Sequence, residues 1–293
     1  MGFIFDINEQ NTLAQSLCDT LGVQLGDMTL RQFPDGEFYV RCLEQVKDKT
    51  CFILCHLHQP NEKALAIIFL AETLKELGAK QVHLLAPYLA YMRQDIRFHE
   101  GEGISSRYFA KLISQYVDSL ITVDPHLHRY HSLDEIYSIP ACALTAVEPI
   151  AQYIKAHIPN PVVIGPDGES EQWAKHVALA ADCPYEVLTK ERFGDRDVKV
   201  SLPHVENYQQ HTPVLVDDII STGKTMMQAA KHLTDAGLST PTCIGVHAVF
   251  AQGAVEEMQS QGLTLITCNS IPHSTNAIDL ADLLGNEAKK RLK

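Results

Sequence analysis

The densest run of chemistry-bearing residues in this chain is Asp217-Asp218-Ile219-Ile220-Ser221-Thr222-Gly223-Lys224-Thr225. Two adjacent carboxylates follow the apolar residues Val214-Leu215-Val216, with Pro213 just ahead. That pattern predicts a short buried parallel strand whose carboxyl end opens onto a site. Ser221-Thr222-Gly223 adds hydroxyls, a flexible glycine and backbone N–H groups, and Lys224 to Leu233 reads as a helix stopped at Gly237. Strand, acidic pair, small polar loop and helix N-terminus make a phosphate cradle with carboxylates beside it. The carboxylates suit ribose hydroxyls and magnesium. Gly223-Lys224-Thr225 is not a Walker P-loop, because Asp218 stands where that motif needs its first glycine. An acidic loop closing an αβ crossover is the plainer alternative, but uncompensated charge at the end of an apolar strand is costly.

Four further stretches could do chemistry. Asp124-Pro125-His126-Leu127-His128 ends the strand Ser119 to Val123 with a carboxylate and two imidazoles at i and i+2, where a sheet's ligand crevice opens. A metal or phosphate role fits there. No Cys or His cluster has zinc spacing, so a hard, oxygen-seeking ion is expected. Between Pro87 and Gly103 apolar periodicity vanishes and polar, aromatic and glycine residues crowd together, as in functional loops of this length. Lys190-Glu191-Arg192-Phe193-Gly194-Asp195-Arg196 reads as a charged loop without periodicity, and Pro34-Asp35-Gly36-Glu37 as turn chemistry whose plain reading is a hairpin.

The elements that must position these residues alternate. Helices are expected over Asn8 to Leu21, over Glu62 to Leu77 with Asn61 as cap, and over Ile104 to Tyr116. More follow over Glu171 to Ala181 and Ala254 to Gln261, with a terminal helix from Asn276 to Lys293. Strands are expected at Met28 to Phe33, Thr50 to Leu57, Gln81 to Ala86, Pro161 to Gly165, Tyr185 to Thr189, Thr242 to Phe250 and Leu263 to Thr267. The halves look duplicated: Leu77-Gly78 ahead of one strand mirrors Ala236-Gly237 ahead of another, and Leu120-Ile121-Thr122 matches Leu265-Ile266-Thr267. The first copy carries an insert around Tyr91 to Ile104, and the second carries the phosphate loop. Two αβ lobes are expected, the second beginning near Thr145, with two substrates meeting at a domain interface.

Composition sets the bounds. At 293 residues the chain is comfortable as two domains. A net charge of −12 argues against a nucleic-acid surface. Eight scattered cysteines without a Cys-x-x-Cys pair read as buried hydrophobes in a reducing compartment. With neither a secretion signal nor a membrane-length apolar run in the sequence, a cytoplasmic protein is expected.

With these pieces in hand, the chain resembles the ribose-phosphate pyrophosphokinase, or PRPP synthetase, family, over nearly its whole length from Arg31 to about Leu284. Phe33-Pro34-Asp35-Gly36-Glu37 is similar to the family's Phe-x-Asp-Gly-Glu, and Tyr91-Met92-Arg93-Gln94-Asp95 to its Tyr-x-Arg-Gln-Asp. Asp124-Pro125-His126 falls where the family has Asp-x-His, Gly165-Pro166-Asp167-Gly168 where it has a second magnesium-site aspartate, and Lys190-x-Arg192 where it has Lys-x-Arg. Five motifs occur in the family's order. Asp167-Gly168-Glu169-Ser170 replaces the more usual Asp-His-Gly-Gly, and Glu100-Gly101-Glu102-Gly103-Ile104-Ser105 a more basic bacterial stretch. Both departures are similar to the archaeal-like branch. Lys224 stands where many members have glycine.

The resemblance implies two duplicated phosphoribosyltransferase-like domains, each a mostly parallel sheet flanked by helices. The first would span residues 1–144 plus a C-terminal helix 277–293, and the second residues 145–276. It implies transfer of pyrophosphate from ATP to the 1-hydroxyl of ribose 5-phosphate, with Mg2+ as cofactor. Lys190 and Arg192 would be catalytic. Phe33, Asp35, Gly36, Glu37, Arg93, Gln94 and Asp95 would bind ATP, the first four serving a neighbouring subunit, so at least a dimer is expected. His126 and Asp167 would hold metal, and Arg192, Asp217, Asp218, Ser221, Thr222, Gly223, Lys224 and Thr225 would bind ribose 5-phosphate. A type I phosphoribosyltransferase shares the loop but should lack a duplicated domain. A catalytically silent regulatory subunit of the same fold should lack an intact Lys190 and Arg192.

Overall fold

A computed structural model describes residues 2–8, 12–193, 197–201 and 205–292, leaving the side chains of residue 169 and residues 189–206 outside the description. In chain order the elements are β1 (Phe3–Asp6), α1 (Thr12–Leu21), β2 (Gln24–Leu25), β3 (Met28–Gln32), β4 (Phe38–Cys42), β5 (Thr50–Leu54), α2 (Pro60–Glu76) and β6 (Gln81–Ala86). Then come α3 (Ser105–Ile113), β7 (Ser119–Val123), β8 (Ala141–Leu144), α4 (Val147–His157), β9 (Pro161–Gly165), α5 (Glu171–Ala181), β10 (Tyr185–Val187), β11 (Thr189–Phe193) and β12 (Asp197–Ser201). The chain continues with β13 (Thr212–Ile220), α6 (Lys224–Asp235), β14 (Thr242–Ala248), α7 (Ala254–Ser260), β15 (Thr264–Cys268), β16 (Asn276–Ile278) and α8 (Ala281–Ala288).

The chain divides into two compact units, residues 1–144 with 280–293, and residues 145–279. The first holds a parallel sheet of order β2-β1-β5-β6-β7-β8, the second a parallel sheet of order β10-β9-β13-β14-β15-β16. Position for position the two orders are the same, and each unit adds one antiparallel two-stranded ribbon, β3–β4 or β11–β12. The central strands are apolar on both faces because helices cover both: all five residues of β5 and of β7 are buried. In the first unit Ile67, Leu70, Ala71 and Leu74 of α2 pack into a core with Ile53, Leu84 and Leu120. In the second, Met226, Ala230 and Leu233 of α6 pack with Ile164, Leu215 and Cys243.

Several expectations are corrected. The terminal helix does not begin at Asn276. A short edge strand, β16, pairs there with β15, and α8 starts only at Ala281 before giving way to a 3-10 turn at Lys289–Arg291. The segment from Lys190 is not an irregular loop: its backbone forms β11, paired with β12. Asn61 does not cap α2, which opens at Pro60 behind a left-handed Gln59 (φ 51°). Proline at the first turn supplies the preset φ and lacks an N–H that would otherwise be orphaned. Strand β13 runs on through Asp217 and Asp218 to Ile220, so the carboxylates lie within the strand rather than after it. The expectations also passed over β1, β8 and α4.

Candidate functional site

In the second unit the phosphate-cradle residues are held by β13 and α6. The strand pairs with β14 up to Ile220↔Ala248, and the Ala251 amide donates to the Ser221 carbonyl at 3.1 Å, which fixes the start of the loop. Gly223 sits at φ +70° and its carbonyl accepts from the Met227 amide at 2.8 Å, so it is the turn residue from which α6 departs. A side chain here would be doubly disfavoured, by the left-handed backbone and by the side chain of Met258 against the glycine. The first amides of α6 have no carbonyl of their own helix to bond, and they gather at the positive end of its dipole. Thr222, Lys224 and Thr225 are exposed beside them and Ser221 is half-buried.

Asp217 and Asp218 are both half-buried, and the Asp218 amide donates to Asp217 Oδ1 at 3.0 Å. Asp167, on the turn after β9, belongs to the same unit. Its Oδ1 accepts from the Ser170 amide at 3.3 Å, and the Ser170 hydroxyl donates to its carbonyl at 2.7 Å. Ser170 is itself buried against Gly165, where a Cβ would lie 2.7 Å from Ser170 Oγ. Burial, and then the charges of Asp218 and Asp167, push the Asp217 carboxyl up to about 8. A buried carboxyl with two further carboxylates beside it is a donor set that a divalent cation would relieve, so these residues fit magnesium.

In the first unit the β3–β4 ribbon carries Phe33, Asp35, Gly36 and Glu37 at its tip, all exposed. The Phe33 amide donates to the Glu37 carbonyl at 2.7 Å, and the Arg31 guanidinium lies 4.6 Å from the ring centres of both Phe33 and Tyr39. Between β6 and α3, Arg93 is exposed and Gln94 half-buried, while Asp95 is buried. Arg129 Nη1 donates to both Asp95 oxygens, at 2.9 and 3.1 Å, and the Tyr130 hydroxyl donates to the Asp95 carbonyl at 3.0 Å. Asp95 therefore anchors the loop that displays Arg93 and Gln94. Sequence reasoning missed Arg129 and Tyr130, and their only signal was adjacency to the histidine pair. After β7, Asp124 and His126 both adopt left-handed backbone, φ 35° and 57°. Non-glycine residues held there cost energy and cluster at functional sites. Of Lys190 and Arg192 the backbone strand is described, and their side chains lie outside the described residues.

The sequence model for the N-terminal domain of ribose phosphate pyrophosphokinase matches residues 3–116, and that for the phosphoribosyl transferase domain matches residues 132–282. A ribose-phosphate pyrophosphokinase of Methanobrevibacter smithii is 31% identical over 94% of this chain and 95% of its own length. One of Saccharolobus solfataricus is 34% identical over 89% and 90%. The crystal structure of phosphoribosylpyrophosphate synthetase from Mycobacterium smegmatis covers 99% of both chains with a TM-score of 0.84 at 24% identity, a likeness of fold.

Proposed function

The chain belongs to the ribose-phosphate pyrophosphokinase family, and we propose that it transfers the pyrophosphoryl group of ATP to the 1-hydroxyl of ribose 5-phosphate, giving PRPP and AMP. The observation that carries this reading is the second unit's cradle, an anion-binding loop at the N-terminus of α6, with two carboxylates on β13 and a third on the turn after β9. A sugar phosphate presents that combination of hydroxyls and phosphate.

Asp217 and Asp218 orient the ribose hydroxyls, and Ser221, Thr222, Gly223, Lys224 and Thr225 receive the 5-phosphate. Lys224 adds a cation to a cradle otherwise built of amides and hydroxyls. Arg93 and Gln94 hold the nucleotide, with Asp95 fixing their loop through Arg129. Lys190 and Arg192 meet the charge that develops as the 1-hydroxyl attacks the β-phosphorus and AMP departs. Transfer of this kind needs in-line positioning and charge stabilisation more than covalent help. Magnesium at Asp167 and at His126 would neutralise the phosphate oxygens. The exposed ribbon tip with Phe33, Asp35, Gly36 and Glu37 supports its service to a neighbouring subunit's adenine, which makes the enzyme at least a dimer.

The eight cysteines are free, which suits a cytoplasmic enzyme. No helix among the described residues is long and apolar enough to cross a membrane. The deciding assay is AMP release from ATP that depends on ribose 5-phosphate, at neutral pH with magnesium. Release independent of ribose 5-phosphate, or none at all, overturns the reading.

A further inference from the structure

The two histidines after β7 do more than mark the end of a strand. His128 Nε2 lies 3.0 Å from His126 Nδ1, with ring centres 4.0 Å apart and ring planes at 78°. The rings do not stack: each turns a nitrogen towards the other. The backbone enforces this. The His126 amide donates to the Asp124 carbonyl at 2.9 Å and the His128 amide to the His126 carbonyl at 3.1 Å, two successive tight turns with Asp124 and His126 left-handed. In an extended strand, residues two apart share a face with their side chains farther apart than this. Here the chain bears backbone strain, and the two imidazoles are brought together.

Two metal–nitrogen bonds of about 2.1 Å at a right angle put their nitrogens about 3.0 Å apart. The observed separation is that of two cis ligands on one cation. Magnesium prefers oxygen ligands and keeps its waters, whereas imidazole suits Fe2+, Ni2+ and other first-row divalent ions, a series in which Mn2+ binds most weakly and so gives the most demanding comparison. We propose that His128 is a second imidazole ligand beside His126, and that the pair makes this site prefer a first-row transition cation over Mg2+. The proposal rests on the reading that His126 holds a cation and adds what His128 does to the choice of ion. The competing account is a plain hydrogen bond between two neutral rings, which the same distance permits. His128 is exposed, so replacing it leaves the core of the unit intact.

The test uses the full chain without nucleotide. Mn2+ binding is followed by the electron paramagnetic resonance of the free ion, with Mg2+ as competitor, and pulsed measurements count the nitrogens on bound Mn2+. The protein is expected to bind Mn2+ about tenfold or more tightly than Mg2+, with two coupled nitrogens. His128→Gln keeps a side-chain hydrogen-bonding group but offers no imidazole. It should lose about tenfold or more in Mn2+ affinity and one nitrogen, with Mg2+ affinity nearly unchanged. His126→Gln should lose the site for both ions. Unchanged Mn2+ affinity and nitrogen count in His128→Gln overturn the proposal and leave the pair a hydrogen bond. If His126→Gln also changes nothing, the reading of His126 as a cation ligand falls with it.

Discussion

Arg93 and Asp95 stand two residues apart and the fold treats them oppositely. Arg93 is exposed, and Asp95, only 4% exposed, is clasped by Arg129. Removing the guanidinium would strand a buried carboxylate, a change that costs about 3 kcal/mol when no partner replaces it. Arg129→Met should therefore lower the melting temperature and raise the KM for ATP, leaving that for ribose 5-phosphate nearly unchanged. Equal KM changes for both substrates would show that the loop is not specific to the nucleotide. If the Lys190 cation acts mainly on the transition state, Lys190→Ala should cut kcat by about 10²-fold or more, with little change in ribose 5-phosphate binding. Steady-state kinetics with a separate binding titration check both halves. A defect confined to KM would move Lys190 to ground-state binding.

At the scale of elements, β6 holds an unusual guest. His83 is buried, bonds Ser119 of β7 through Nδ1 at 2.8 Å and lies 5.3 Å from the Phe52 ring of β5, while its Nε2 is buried with no hydrogen-bond partner. Burial, partly opposed by Asp118 and reinforced by Arg291, lowers its pKa from 6.5 to about 4. The folded state thus binds fewer protons than the unfolded one between those values. Stability from this group is complete above about pH 6.5 and is lost as pH falls through 4, by up to about 3 kcal/mol. Chemical denaturation between pH 7 and 4 should show that slope, and His83→Gln should flatten it. An unchanged slope would assign the acid sensitivity to other groups. Buried strands were the most legible elements: Gln81–Ala86, Ser119–Val123 and Pro161–Gly165 are strands over the expected residues, because their short length and flanking turn residues decide for strand over buried helix. Element ends were less legible. The segment Lys190–Phe193 lacks apolar alternation, since only its backbone pairing with β12 makes it a strand. Asn276–Ile278 reads as helix until its partner β15 is known.

The duplication is the whole-molecule feature that the sequence carried best, through glycine stops and the Leu-Ile-Thr repeat, and it extends to sheet order and to one ribbon per unit. The insert, too, has its place: residues 87–104 separate β6 from α3 where residues 249–253 separate β14 from α7. The resemblance implied that a C-terminal helix joins the first unit, but not how it packs there. Helix α8 packs against α1, with Gly285 of α8 set against Thr20 and Leu17 of α1. The approach is close enough to need glycine: a Cβ on Gly285 would lie 2.5 Å from Thr20 Cγ2 and 3.0 Å from Thr20 Cβ. Gly285 is mid-helix, where alanine ordinarily stabilises by about 1 kcal/mol, so propensity and packing pull in opposite directions. Overpacking of this kind costs about 1–3 kcal/mol, and packing should win. Gly285→Ala is expected to lower the melting temperature, and Thr20→Ala should recover part of the loss, because it removes the nearer of the two colliding atoms. Thermal unfolding of the two single variants and the double variant measures the coupling directly. Additive effects, or a Gly285→Ala variant more stable than the parent, would mean that α8 can shift outward, and the first unit would not depend on the close closure of its two termini.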